Sequence, residues 1–389
     1  MRLTKLFNDF FESERGGVLL ILCTAISLLL ANSSVSESYL NFWHFKFAGL
    51  STENWINEAL MAIFFFLIGL ELKREILVGE LSHVKNAMLP VFAAVGGMII
   101  PAAIFAFFNY GTATQSGAGI PMATDIAFAI GILSLLGNRV PSSLKILLTA
   151  IAVIDDLGAI LVIAIFYTAS LSLSNLLFVL VILGILYLFN YLKINILFLY
   201  IIGGITMWYF MLHSGVHSTL TGILLAFVIP FGKGEKTSLS YRLQDWLHKP
   251  VALIILPLFA LANTAIVFGK GWDTGLGNPG SLGIFAGLII GKPLGVFLFS
   301  FAAVSSGVCA LPLDLKWKEI LGIGFLAGIG FTMSIFITLL AYSDMVMITE
   351  SKISILLASL VSGILGYTWL HTFLKKPLSI PLRKTKSIY

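Results

Sequence analysis

The sequence predicts an all-α membrane protein with about twelve transmembrane helices. Hydrophobic residues make up 58% of its 389 positions and charged residues only 11%, whereas soluble domains carry about 25% charged residues. Apolar windows long enough to cross a bilayer recur along the whole chain. They fall at 16–32, 57–78, 87–108, 119–137, 144–168, 174–193, 196–212, 216–230, 250–268, 282–305, 319–342 and 353–374. No polar stretch between them is long enough for a soluble unit, so residues 1–389 are predicted to form a single membrane domain.

The basic residues predict the orientation of these helices. If the N-terminus faces the cytoplasm, only Lys46, Lys270 and Lys352 of the 24 Lys and Arg residues fall on the outer side, and Lys292 falls within a span. The positive-inside rule therefore places both termini in the cytoplasm.

The chain ends, the net charge and the cysteines indicate the lipid bilayer as the main partner. Residues 1–15 are charged and amphipathic without a cleavage site, so we expect a cytoplasmic interfacial segment, and 375–389 reads as a cytoplasmic basic tail. The net charge of +5 fits contact with anionic headgroups rather than with nucleic acid. Cys23 and Cys309 lie in apolar surroundings, which predicts neither a disulfide framework nor a metal site.

The fifth span carries two adjacent carboxylates, Asp155 and Asp156, in the middle of the apolar run 146–166. Each charge at that depth costs about 2.5–3.5 kcal/mol, so the pair indicates function. Neighbouring helix positions lie about 100° apart, so both carboxylates can face one polar cavity. Repulsion and lost hydration favour binding of a proton or a small cation. This chemistry is typical of an ion-coupled transporter.

The fourth span predicts a break at midspan. Pro121 weakens the helical hydrogen bonds, and Thr124 and Asp125 follow with hydroxyl and carboxylate oxygens. A broken helix leaves two half-helix ends whose partial charges need a partner. Asp125 is therefore a neutraliser of a helix dipole, a cation ligand, or both; the alternative is an ordinary capping residue at a surface helix start.

The eleventh span predicts a second break at a similar depth, because 322–336 is rich in glycine. The fourth and eleventh spans hold matching positions in two three-helix sets, spans three to five and ten to twelve. This arrangement predicts inverted repeats whose two discontinuous helices cross.

Lys292 lies within the tenth span and is predicted to pair with an intramembrane aspartate. One interpretation is functional, because an ion pair that a bound cation breaks would release a proton. The other is structural, with the pair holding two helices together.

The second span ends in a charged cluster of Glu71, Arg74 and Glu75 on one helix face. This cluster is either a solvated helix end or an entry site for protons and cations that senses cytoplasmic pH. His213 and His217 have the spacing of a metal pair, but no third ligand is nearby, so we do not predict zinc. His217 remains a candidate for a residue that responds to pH.

The outer segment 41–47 alternates partly with a period of two, which is a strand signal. Residues near 41–50 are therefore either one arm of an exposed β-hairpin that pairs with a second copy, or an irregular loop.

Five motifs resemble those of the NhaA family of bacterial sodium/proton antiporters, and the resemblance covers nearly the whole chain. They are Phe-Leu-Ile-Gly-Leu-Glu-Leu-Lys-Arg-Glu ending at Glu75, Ala-Thr-Asp-Ile-Ala-Phe-Ala from Ala123, Ile-Asp-Asp-Leu-Gly-Ala-Ile from Ile154, Gly-Lys-Pro-Leu-Gly from Gly291 and Gly-Ile-Gly-Phe-Thr-Met-Ser-Ile-Phe from Gly328. The resemblance implies twelve helices, two of them unwound where they cross, and a homodimer in the bacterial inner membrane joined through a hairpin near 41–50.

The resemblance also implies roles for the residues singled out above. By this likeness Asp156, with Asp155, holds Na⁺ or Li⁺; Asp155 pairs with Lys292; and Thr124 and Asp125 sit at the crossing. Glu71, Arg74, Glu75 and His217 fall where the family has residues linked to pH response. One departure is Gln244, which stands where the best-known pattern has a glutamate; the neighbouring Asp245 is a candidate to compensate.

The predicted function is electrogenic Na⁺(Li⁺)/H⁺ antiport for sodium and pH homeostasis, with Na⁺ exported, more than one proton imported, and activity that rises with pH. Protons and sodium compete for Asp155 and Asp156, and no cofactor is expected. Three alternatives remain: an intramembrane aspartyl protease, which would need a Gly-x-Gly-Asp motif that this chain lacks at these positions, a retinal protein with Lys292 as Schiff base, and a passive cation channel.

Overall fold

The computed structural model describes residues 14–166, 171–232, 234–269 and 272–374. The predicted basic tail 375–389 lies outside these ranges, as does the predicted N-terminal segment 1–15 except for its last two residues. The helices of the described part are α1 (Glu14–Ala31), α2 (Ser36–His44), α3 (Thr52–Val78), α4 (Val84–Asn109), the 3-10 helix Gln115–Met122, α5 (Ile126–Ser134), α6 (Ser142–Phe166), α7 (Leu173–Tyr191), α8 (Leu197–Leu212), α9 (Leu220–Val228), α10 (Leu239–Asn263), α11 (Pro279–Ser305), α12 (Trp317–Ala327), α13 (Phe331–Ala341) and α14 (Met345–Phe373).

The helices confirm the predicted all-α membrane architecture. Within the described ranges eight helices are long and apolar enough to cross a bilayer, and up to ten if each of two bent helix pairs counts as one span. Each of the twelve predicted windows overlaps one of these helical segments.

The eighth window, 216–230, was predicted to be a full span, and this prediction is wrong. Helix α9 has only nine residues, or about 14 Å at 1.5 Å per residue, which is half of a hydrocarbon core. The preceding residues form a turn instead, because Gly215 has a φ of +84°. The Ser214 hydroxyl stabilises this turn by donating to Met211 O at 2.8 Å and accepting from Val216 N at 3.1 Å.

The outer hairpin exists but is shorter than predicted, and the strand expected from residue 41 is wrong. Helix α2 continues to His44, and only β1 (Lys46–Phe47) and β2 (Leu50–Ser51) pair, antiparallel, across a two-residue turn. Both turn residues, Ala48 and Gly49, have positive φ, as tight hairpins require. The period of two failed because residues 36–44 are helical: Tyr39 and Trp43, one turn apart, pack edge to face with ring centroids 5.7 Å apart.

The spans pack into two bundles. Bundle A contains α1, α2, α3 and α7 to α10, and bundle B contains α4 to α6 and α11 to α14 with the 3-10 helix. Contacts within each bundle are extensive. Between the bundles the main helix contacts are α1 with α5, α3 with α6, and α10 with α13.

The closest helix crossing in bundle B joins α4 and α11 at Gly96 and Gly295. A Cβ on Gly295 would lie 2.1 Å from Gly96 O, and a Cβ on Gly96 would lie 2.3 Å from Gly295 O. Only glycine fits both positions, since real Cβ contacts are never this short. The crossing holds α11, and with it Lys292, in place against α4. Lys292 lies one turn before Gly295, directly after a π-helical turn at Gly287–Gly291.

Candidate functional site

The two predicted broken spans cross in bundle B, as the sequence indicated. One span is extended at 123–125, between the 3-10 helix and α5, and the other breaks at 328–330, between α12 and α13, with a bend of 49°. The Asp125 backbone N–H donates to Ile329 O at 2.6 Å. The two breaks are therefore joined by a hydrogen bond between backbone groups that take no part in helical hydrogen bonding.

The Asp125 carboxylate caps the N-terminal ends of both α5 and α13. It accepts from Phe128 N at 3.0 Å, from Thr332 N at 3.1 Å and from the Thr332 hydroxyl. Its residue is 2% exposed, so it is a buried cap and not a cap at a surface helix start. The carboxyl group therefore lies at the positive ends of two helix dipoles.

The two opposing helix ends, which carry partial negative charge, face a cation and a hydroxyl. The Lys292 ammonium donates to Met122 O at the end of the 3-10 helix. The Thr124 hydroxyl lies 2.8 Å from Ala327 O, the end of α12, and 2.7 Å from Asp155 Oδ2. Because the hydroxyl has one proton, it donates to one of these oxygens at a time.

The aspartate pair has one carboxylate oxygen in an ion pair and, within the described ranges, two buried oxygens without a hydrogen-bond partner. Lys292 Nζ lies 2.6 Å from Asp155 Oδ2, and both side chains are fully buried, so the predicted pairing of Lys292 is with Asp155. Within the described ranges Asp155 Oδ1 and Asp156 Oδ1 are buried without a hydrogen-bond partner. Buried polar atoms nearly always have a hydrogen-bond partner, so these two oxygens are expected to bind a ligand or a proton.

A cavity of about 50 Å³ reaches Asp156 from the interface between the bundles. Bundle B lines it with Asp125, Asp156 and Thr332, and bundle A lines it with Glu71 and His248. Glu71 Oε1 and His248 Nε2 lie 3.4 Å apart. Glu71 of the second-span cluster and Asp156 of the aspartate pair therefore line one cavity, although the sequence places them on separate spans.

Arg74 faces the N-terminal part of α10 instead of the cavity. Its guanidinium lies 4.9 Å from the Tyr241 ring centroid, and its Nη1 donates to Gln244 Oε1 at 3.4 Å. Gln244 is buried, whereas Asp245 is exposed. Asp245 therefore occupies a different environment from Gln244 and does not replace it at Arg74.

The candidate pH-response residues divide into two places. Glu71, Arg74 and Glu75 share the end of α3, and Glu75 is buried. His217 lies in the turn before α9, next to Ser218, whose hydroxyl donates to Glu58 Oε2 at 2.5 Å. Glu58 precedes Glu71 by 13 residues on α3, about 20 Å along the helix.

Sequence reasoning missed the roles of two polar residues: His248, which lines the cavity, and Lys73, near the end of α3. Lys73 Nζ donates to Ala226 O, Phe227 O and Ile229 O at 3.3, 2.7 and 2.6 Å, which satisfies the end of the short helix α9. In the sequence Lys73 was only one of the inner-side basic residues and a member of the second-span motif. For His248 the available signal was its helical spacing from Gln244, which puts both on the face towards α3.

Comparison with known proteins shows the family to which the chain belongs. A family model described as Na⁺/H⁺ antiporter 1 matches residues 8–370. The chain belongs to this family. Its resemblance to NhaA proteins is also confirmed by three relatives named Na⁺/H⁺ antiporter NhaA or NhaA 1: those of Flavobacterium psychrophilum (62% identity, covering 97% of this chain and 99% of the relative), Flavobacterium johnsoniae (60%, 96% and 98%) and Vibrio cholerae (44%, 98% and 100%).

A solved structure supports the fold of this Na⁺/H⁺ antiporter family member. The sodium proton antiporter MjNhaP1 from Methanocaldococcus jannaschii, determined at pH 8, superposes with a TM-score of 0.55. The alignment covers 96% of this chain and 99% of that chain at 16% identity. At that identity the likeness concerns the fold alone.

Proposed function

We propose that the chain exchanges Na⁺ for protons across a bacterial inner membrane. The observation that carries this proposal is the buried Asp155–Asp156 pair, whose free oxygens lie at the crossing of two broken helices. Carboxylate, hydroxyl and backbone oxygens are the ligands that hard cations prefer. The relatives described above are named Na⁺/H⁺ antiporters, which supports the same exchange.

In this proposal Asp156 and Asp155 hold Na⁺ or Li⁺, with the Thr124 hydroxyl 2.7 Å from Asp155 Oδ2 as a further oxygen. A cation that bound Asp155 would compete with Lys292 for the same carboxylate. Protons and cations therefore alternate at one site. Asp125 accepts hydrogen bonds from two helix ends and keeps the crossing intact as the site moves.

Antiport also needs the site to open to each side in turn, and the interface between the bundles provides the path. The cavity lined by Glu71 and His248 is the cytoplasmic route, given an N-terminus inside. Import of more than one proton per Na⁺ makes the exchange electrogenic. Glu71, Arg74, Glu75 and His217 are the candidates that adjust it to pH.

The family match supports a transporter over the protease and retinal alternatives. In addition, Lys292 Nζ is already engaged by Asp155 and Met122 O, which leaves it poorly placed for a Schiff base. A passive channel is distinguished by the test that follows, because it would move Na⁺ without coupled protons.

Purified protein in liposomes is expected to convert an imposed Na⁺ gradient into a pH gradient, and the KM for Na⁺ is expected to fall as pH rises. At low pH protons occupy the carboxylates, so Na⁺ binds weakly; at high pH the competitor is absent. The fall is up to about tenfold per pH unit for one competing proton. A pH-sensitive dye inside the vesicles measures this, and Na⁺ uptake without proton movement would contradict it.

We also propose a homodimer through the hairpin β1–β2, near residues 41–50. Its strands are only two residues long, with β1 exposed and β2 partly exposed, so pairing with a second copy would extend the sheet. Replacing residues 46–51 by a short Gly-Ser turn is expected to shift the detergent-solubilised protein from dimer to monomer in light scattering. A dimer of unchanged mass would place the interface elsewhere.

A further inference from the structure

The Asp156 cavity lies between bundles A and B, so the same interface must close on the opposite side of the site. Beyond the site it contains an aromatic contact. Phe336 of α13 is 2% exposed, and its ring centroid lies 5.3 Å from that of Phe65 on α3 and 6.5 Å from that of Phe259 on α10. Phe336 follows Thr332 by one helical turn, so these rings separate the site from the far end of the interface.

At that far end an ion pair crosses between the bundles. Lys352 Nζ of α14 lies 3.9 Å from Glu53 Oε1 of α3, and their side chains are 11% and 23% exposed. The first turn of α3 packs on α2, β2 and α10, all in bundle A, whereas α14 packs on α11, α12 and α13 in bundle B. The two charges therefore belong to different bundles.

The positions of the charges along α3 place this pair opposite the cavity. Glu53 precedes Phe65 by 12 residues and Glu71 by 18, which corresponds to about 18 and 27 Å at 1.5 Å per residue. The order along the helix is ion pair, aromatic contact, cavity. A pair at this end contributes only while the bundles are closed there.

We propose that the Glu53–Lys352 ion pair is a latch between the bundles that closes the site on the face opposite the Glu71–His248 cavity. The pair must separate whenever that face opens. The proposal rests on the antiport function, because a latch of this kind matters only if access alternates. It favours the conformation in which Asp156 is reached through the cavity, since it adds an attraction that the other conformation lacks.

The chain offers a matched control two residues from Lys352. Glu350 Oε2 accepts from Asn278 Nδ2 at 3.0 Å, and both residues belong to bundle B. Removing this carboxylate changes charge at the same end of α14 without cutting a link between bundles.

The first test measures access to the interface by thiol labelling in a Cys23→Ala, Cys309→Ala background that carries Phe336→Cys. A membrane-impermeant maleimide applied from the face opposite the cavity is expected to label Phe336→Cys about three- to tenfold faster when Glu53→Gln or Lys352→Met is added. The exchanged pair Glu53→Lys with Lys352→Glu should return towards the starting rate, and Glu350→Gln should leave it unchanged. Size-exclusion chromatography confirms that each variant is folded.

Equal labelling in the two latch variants and in Glu350→Gln would overturn the proposal. This readout needs no transport, so it stays informative if the liposome experiment finds no exchange and the antiport function fails.

The second test holds the pair closed. In the cysteine-free background, Glu53→Cys with Lys352→Cys is joined by a short methanethiosulfonate cross-linker that reductant cleaves. Exchange is expected to fall at least about tenfold and to return on reduction, while each single cysteine variant treated with the same reagent remains active. Full activity of the cross-linked protein would show that the bundles do not part at this point and would refute the latch.

Discussion

Replacing Asp156 by asparagine is expected to abolish Na⁺-evoked proton movement without unfolding the protein. Asparagine keeps the size of the side chain and one oxygen, but it loses the charge that balances a cation and the proton-binding site. Loss of even an outer-shell partner costs 10- to 100-fold in metal affinity, so loss of a ligand should cost about 100-fold or more. Collapse of a respiratory pH gradient on addition of Na⁺ to everted vesicles measures the response.

Asp314→Asn is the control for that variant. Asp314 is exposed and its Oδ2 accepts from the Ser143 hydroxyl at 2.5 Å, far in sequence from the aspartate pair. The same carboxylate-to-amide change there should leave the response intact. An undiminished response in Asp156→Asn would move the cation site away from Asp156 and remove the basis for the residue roles proposed above.

Replacing Asp125 by alanine is expected to destabilise the protein by about 2–4 kcal/mol as well as to stop exchange. The change leaves Phe128 N and both donors of Thr332 without their acceptor in a buried place. A lost helix cap in a buried place costs about 1–2 kcal/mol, and the change removes two of them. Asp125→Asn keeps an oxygen acceptor and loses only the charge, so its loss should be smaller. The variants are ranked by stability by heating each of them in detergent and measuring the decline of the monodisperse peak.

The matched control is Asp344→Ala at the start of α14. Asp344 accepts from Val346 N and Met347 N, so it caps a helix as Asp125 does, but it is exposed. Water replaces a lost cap there, and the cost should stay near 1 kcal/mol. Equal shifts in melting temperature for Asp125→Ala and Asp344→Ala would mean that the helix crossing does not depend on the Asp125 carboxylate.

The sequence predicted the parts of the site that are costly to bury. Charged residues in the middle of a span are costly to bury and usually have a function. On this ground Asp125, Asp155, Asp156 and Lys292 were predicted to be site residues from the sequence alone. The breaks were predicted because proline and clustered glycine weaken helices in a place where only broken backbone explains the adjacent polar groups. The residues alone left the partner of Lys292 open, whereas the family resemblance implied Asp155, and the structure has Asp155 Oδ2 2.6 Å from Lys292 Nζ.

The sequence did not predict features that depend on packing between spans. The role of Lys73 was not predicted, because the sequence of one helix does not show that another helix ends beside it. The three carbonyl partners of Lys73 lie more than 150 residues away. Likewise, the window 216–230 was read as a full span because residues 220–230 are strongly apolar, which outweighs the polar residues His217, Ser218 and Thr219 at its start. The latch pair joins residues 53 and 352, and only the tertiary structure relates them.

The contact between Gly96 and Gly295 has a consequence for how motion in this protein can be measured. Because the two backbones touch with no side chain between them, α4 and α11 can neither slide nor rotate past one another without a steric clash. A pair of spectroscopic labels on these two helices would report a constant distance through the whole transport cycle. Such a pair is the internal length standard against which a second pair, with one label on α3 and one on α14, can be calibrated.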